Sequence, residues 1–152
     1  MSLHALRADA SHLDLIAPLF DAYRVFYRQP SNLAQSRAFI AERIARDESV
    51  IFLAQDDTGE ALGFVQLFPT FSSIDAHRTW LLGDLFTTAN ARGRGVGTLL
   101  MNTARSFAVL SGGKGMVLET ATDNFNAQRL YESLGYVRDS GYYTYCLDLQ
   151  QR

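Results

Sequence analysis

Lysine is almost missing from this chain. Of its fourteen basic residues thirteen are arginine, and Lys114 stands alone. A nucleoside-triphosphate loop reads Gly, four residues, Gly, Lys and Ser or Thr, and Lys114 lies far beyond the last glycine of the one candidate turn, Gly97, so that chemistry is excluded. Cysteine is equally scarce. Cys146 has no partner for an intrachain disulfide, and no cysteine and histidine cluster has metal-ligand spacing, so neither a disulfide framework nor a metal site is expected. Charge of one sign is also lacking: a formal net charge of -2 and a pI near 5.9 give no overall attraction to nucleic acid or to anionic membranes. There is no apolar run of the ~20 residues needed to span a bilayer, and no basic segment leading into an apolar one, so the expected compartment is the cytoplasm.

What is present is a chain of 152 residues, 47% hydrophobic, enough for one continuous core, and a single domain over residues 1–152 is expected. A short first strand at 3–8 precedes a helix over "DASHLDLIAPLFDAYRVFY", where Leu13, Ile16, Leu19, Phe20, Tyr23 and Tyr27 recur at spacings of three and four, with Pro18 predicting a kink or an irregular first turn. Ser31 or Asn32 caps a second helix carrying Leu33, Phe39, Ile40 and Ile44. The period then changes to that of strands. "SVIFLAQ" and "ALGFVQLFPTF" form a hairpin around Asp57 to Gly59, Pro69 marks a stop, bulge or edge, and "RTWLLGDLFTT" continues an antiparallel meander. A helix from about Gly97 turns Val96, Leu100, Thr103, Phe107 and Leu110 to one face and stops at "SGGKG". "MVLETA" is a buried strand, "TDNFNAQRLYESLGY" a capped helix, and "YYTYCLDL" a last strand with Tyr143, Tyr145, Leu147 and Leu149 on one face. The order is βααβββαβαβ, an α+β chain.

Between the third strand of the meander and the next helix lies "ARGRGVGTLL". A glycine turn entering a helix lets the backbone approach an anion, with free amides and the positive end of the helix dipole aimed at it. The dinucleotide fingerprint does not fit: the glycines are Gly93, Gly95 and Gly97, Thr98 stands where a third Gly or Ala belongs, and a meander precedes them rather than βαβ units. Arg92, Gly95 and Gly97 spell Arg-x-x-Gly-x-Gly, which resembles the pyrophosphate-binding signature of the GNAT superfamily of acetyl-CoA-dependent N-acetyltransferases. A later stretch, "NFNAQRLYESLGY", is similar to a second family motif through Asn124, Ala127, Tyr131, Gly135 and Tyr136. The two motifs cover roughly the last half of the chain; Thr87 and Ala89 depart from the family pattern, where an aliphatic residue and a proline are usual.

The resemblance implies a three-layer α/β arrangement with a mixed, mostly antiparallel central sheet of six or seven strands flanked by about four helices. It implies acetyl-CoA as co-substrate and direct attack of a primary amine, from a small molecule, an amino acid or a peptide, on the thioester in a ternary complex. Gly93, Arg94, Gly95, Val96, Gly97 and Thr98 would hold the pyrophosphate with Arg92, and the backbone of Leu85, Phe86 and Thr87 the pantetheine arm. Tyr131 would protonate the leaving thiolate; Asn124 would bind the cofactor or cap its helix. An ammonium has no lone pair, so the amine must lose a proton first, and Asp84 and Glu119 are the candidate bases. Tyr23, Arg24, Tyr27 and Phe68 are the candidate acceptor contacts, and an arginine there favours a carboxylate-bearing amine. The rival reading is a non-catalytic module that keeps acetyl-CoA as a sensor ligand. The aromatic last strand is compatible with a homodimer.

Overall fold

The computed structural model describes residues 2–150, which divide into two compact units, one ending at Glu119 and the other beginning at Thr120. In the first unit the sheet comprises β1 (Leu3–Arg7), β2 (Val50–Asp56), β3 (Ala61–Ser72), β4 (His77–Thr87) and β5 (Gly115–Leu118), in that spatial order. The first four are antiparallel neighbours, and β5 lies parallel to β4. Parallel pairing needs a crossover, which α3 (Val96–Leu110) supplies. The other helices are α1 (Leu13–Phe26) and α2 (Leu33–Ala45) in the first unit and α4 (Phe125–Ser133) in the second. No helix among the described residues is long and apolar enough to cross a membrane.

Alternation along the strands sorts side chains to two faces. Ile51, Leu53 and Phe64 join Ile16, Leu19 and Phe20 of α1 and Ile40 of α2 in one buried cluster. On the other face the ring of Phe107 from α3 meets Phe52 at 5.6 Å and Trp80 at 5.2 Å. The first unit is thus helix pair, sheet, helix. Asp21 binds the α1–α2 connection: its carboxylate accepts from Ser31 Oγ at 2.6 Å, the Asn32 amide at 3.0 Å and Ser36 Oγ at 2.7 Å. That leaves Asn32, not Ser31, to cap α2, through its acceptance from the Gln35 amide. The irregular start announced by Pro18 is a 3-10 turn at Ala10–His12, and Pro18 itself stays inside α1.

Of the three roles expected of Pro69, the edge is the one found: β3 runs on to Ser72, but it pairs with β2 only as far as Leu67, so Pro69 sits where that side of β3 is already open and no ladder bond is lost. Other elements differ from expectation. The buried face of α3 is Val96, Leu100, Met101, Ala104 and Ala108, while Leu110 is 87% exposed, because small alanines let the helix approach the sheet. β5 stops at Leu118, and Val117 is half exposed, so it is a short edge strand and not a buried one. The last strand is not formed among the described residues. Tyr143, Tyr145, Leu147 and Leu149 alternate as a strand would, yet all lie more than 80% exposed, and the sheet has five strands rather than six or seven.

Candidate active site

The centre of the site is a bulge in β4. Gln66 of β3 pairs with Asp84 and Leu67 pairs with Leu82, so Gly83 is an extra residue with no cross-strand partner. Glycine leaves room for the Phe68 ring: a Cβ there would lie 2.6 Å from it, and the ring would have to move. Tyr23 of α1 reaches the same point, donating from its hydroxyl to the Gly83 carbonyl at 3.4 Å, and packs against Phe20, Phe64, Phe86 and Tyr27. Directly opposed residues of an antiparallel pair share a face, and Gln66 Nε2 accordingly donates to Asp84 Oδ2 at 2.7 Å. Burial pushes the Asp84 carboxyl above the usual carboxylate range, and hydrogen bonds from Gln66 and Tyr23 oppose that rise without cancelling it. The structure therefore joins Tyr23, Phe68 and Asp84, and adds two residues not singled out from sequence, Gln66 and Gly83. A lone glutamine within the apolar run "ALGFVQLFPTF" was the available signal.

Beyond Leu82, β4 leaves β5 behind. Their pairing spans Thr79 to Leu82, whereas β4 continues through Leu85, Phe86 and Thr87 with one edge facing no strand. That edge leads into the glycine turn. Gly93 has φ of 78° and Gly95 of 86°, values that side-chain-bearing residues rarely adopt, and nothing lies within 4 Å of where either Cβ would be. Gly95 is the N-cap of α3 and offers no side chain, and the first helical bond is Leu99 N to Gly95 O at 3.0 Å. The amides of Val96, Gly97 and Thr98 are left pointing out of the helix, as an anion requires. An open groove of about 540 Å³ starts at Gly95 and follows α3 past Thr98, Leu99, Asn102 and Thr103 to Ser106. These features fit a coenzyme A pyrophosphate.

The arginines of the turn are more committed than their sequence suggests. Arg92 Nε donates to the Thr87 carbonyl at 3.3 Å, and its guanidinium lies 5.6 Å from the Phe26 ring centre and 6.0 Å from that of Phe86, tying the turn to the end of β4. Arg94 is exposed and adds to the hydrogen bonds, chiefly from Thr58, that hold the Asp56 carboxyl low. Glu119 falls one residue past the end of β5, is exposed, and makes no hydrogen bond or ion pair among the described residues, so it is not on a strand beside Asp84. Tyr27 is 43% exposed at the end of α1. Arg24 Nη1 is buried without a hydrogen-bond partner among the described residues.

In the second unit, Asn124 is the N-cap of α4, accepting from the Ala127 amide at 3.2 Å. Gln128 donates to the carbonyls of Ala121 and Thr122 and closes the approach to the helix. Tyr131 is buried, its ring 6.0 Å from that of Tyr136, and Gly135 with φ of 97° ends the helix.

Comparison with known proteins agrees with this geometry. Residues 16–136 match the acetyltransferase (GNAT) family. The chain is 43% identical to the uncharacterized N-acetyltransferase YhfO of Bacillus subtilis over 94% of its own length and 95% of the relative's. It is 32% identical to a probable acetyltransferase of Haemophilus influenzae, covering 86% and 87% of the two chains. The crystal structure of a probable acetyltransferase superposes with a TM-score of 0.91 at 39% identity, covering 98% of this chain and 99% of that one. With the glycine turn, the α3 crossover and this likeness in sequence and structure, the chain belongs to the GNAT family of N-acetyltransferases.

Proposed function

We propose that this N-acetyltransferase moves the acetyl group of acetyl-CoA to the primary amine of a small carboxylate-bearing acceptor, with Asp84 as the general base. The observation that carries the reading is a half-buried carboxylate at the β4 bulge, on the strand that leads from an unpaired edge into an uncapped glycine turn. The family match runs across the boundary at Glu119, which supports treating both units as one acetyltransferase domain.

When bound, acetyl-CoA supplies an acetyl thioester with an electrophilic carbonyl carbon and a sulfur leaving group. The amides of Gly93 to Thr98 would hold its pyrophosphate, and the open edge at Leu85 to Thr87 would accept the amide-bearing arm. Arg92 keeps turn and strand in fixed relation. Asp84 removes the proton of the incoming ammonium; a carboxyl raised by burial is a better match to that proton than an ordinary one. Tyr131 gives a proton to the departing thiolate, a role supported by its place in the Asn124 to Tyr136 motif. Glu119, exposed and past the strand end, is left out of the chemistry.

Arg24 directs the acceptor class. The charge of Arg24 already acts on Asp21, but its buried Nη1 has no hydrogen-bond acceptor among the described residues, and a ligand carboxylate would supply one; Arg24 follows Tyr23, whose hydroxyl is at the bulge. The test is thiol release from acetyl-CoA over a panel of amines: free amino acids, their decarboxylated counterparts, an aminoglycoside, a polyamine, and peptides with free N-termini or lysines. Amino acids should turn over with kcat/KM at least tenfold above the decarboxylated partners, and Arg24→Gln should remove that preference through KM. Equal turnover of both sets overturns the acceptor class. Absence of acetyl-CoA binding by calorimetry at millimolar ligand overturns the cofactor.

A further inference from the structure

Behind Asp84 stands a buried chain of polar groups that plays no part in the steps above. Ser49, just before β2, donates from Oγ to Gln66 Oε1 at 2.7 Å, and Gln66 in turn donates from Nε2 to Asp84 Oδ2 at 2.7 Å. Gln66 is fully buried and Ser49 is 7% exposed. An amide in such a place is costly unless its groups are paired, and a hydrophobic residue would satisfy the packing of β3 equally well.

We infer that Gln66 is a positioning residue for Asp84, and that Ser49 supports it by pairing the other end of its amide. This rests on Asp84 being the base. A glutamine side chain presents an acceptor at one corner and two donors at the other. Turned around, Oε1 would face the carboxylate, two acceptors in contact. The ionised carboxylate, which only accepts, selects Nε2; Ser49, by donating to Oε1, keeps the far end of the buried amide paired in that orientation, and Nε2 then holds Asp84 in place and favours its ionised form. The arrangement answers a specific difficulty. Burial raises the carboxyl so that it can take a proton from an amine, but unopposed burial would leave it already protonated and useless as a base. The groups that act on Asp84 are Gln66 from β3 and the Tyr23 hydroxyl from α1, and no ionised side chain among the described residues contributes.

The test compares wild-type full-length protein with Gln66→Leu, Ser49→Ala, Ser49→Thr and Asp84→Asn. Two readouts are taken: the titration of the Asp84 carboxyl by carbon-13 NMR, and the pH profile of kcat with acetyl-CoA and the best acceptor from the amine panel. For Gln66→Leu, the carboxyl titration and the acid limb of kcat should both move up by about one unit, with the acetyl-CoA KM within about twofold of wild type. Ser49→Ala should move them the same way by less, and Ser49→Thr, which keeps the hydroxyl, should restore them. An unmoved carboxyl in both Gln66→Leu and Ser49→Ala overturns the positioning role even if Asp84→Asn is inactive. Full turnover by Asp84→Asn overturns the base instead, while the NMR titration continues to report on Gln66. Should Gln66→Leu fail to fold, the serine pair decides.

Discussion

Asp84 is held at the bulge at a cost in stability. Its carboxyl is raised in the folded protein above its value in the unfolded chain, so the folded state binds the proton more tightly. The contribution it makes is present below the unfolded value near 3.9, and is lost as pH rises through the folded one. At neutral pH a buried charge remains. Asp84→Asn removes it while keeping an oxygen to accept from Gln66, so the variant should melt ~2–4 °C higher than wild type at pH 7, with the difference shrinking toward pH 4, as it loses turnover. Differential scanning calorimetry at the two pH values checks this; a lower melting temperature at pH 7 would mean that the charge is compensated. The place of Asp84 was legible in the sequence, as the carboxylate on the strand that runs into the glycine turn. Gln66, Ser49 and Gly83 were not, since a hydrogen-bond relay and a bulge depend on which residue stands opposite which, and register is not written in either strand alone.

The elements show a similar division. Helices α1 to α4 and the β2–β3 hairpin follow from local chemistry: Asn32 and Asn124 as caps, Gly59, Gly112 and Gly135 in the left-handed region at turns or helix ends. The rotated face of α3 and the unformed last strand depend on partners, and local pattern missed them. Asp21 lies between these cases. It sits in the apolar stripe of α1, and its three hydrogen bonds latch the start of α2. Those bonds, led by the Ser31 and Ser36 hydroxyls, hold its carboxyl below the ordinary value. A lowered group stabilises above the unfolded value near 3.9, and that stability is lost as pH falls below it. Asp21→Ala should therefore cost ~1–3 kcal/mol at pH 7 in urea unfolding and much less at pH 3. An equal loss at both would assign the effect to packing alone.

At the scale of the molecule, the sequence motifs pointed to the family, and through it to acetyl-CoA, because the signature is local: one turn, three glycines, one helix start. The acceptor left no such mark, because its candidate contacts come from α1, β3 and β4, far apart in the chain. Ligand binding to the folded state alone raises stability by ~2.7 kcal/mol at a hundredfold excess over Kd, so acetyl-CoA should shift the melting temperature by several degrees and NAD should leave it in place. A shift with NAD and none with acetyl-CoA would reverse the assignment of the glycine turn.

Gly83 also bears on how such a site can arise. Because Leu82 already faces Leu67 and Asp84 already faces Gln66, deleting the glycine would leave every cross-strand partnership of β3 and β4 as it stands. The extra residue changes no neighbour. It bends the strand and turns one carbonyl toward the Tyr23 hydroxyl where β4 parts from β5, so a regular hairpin and this one differ by a single inserted residue.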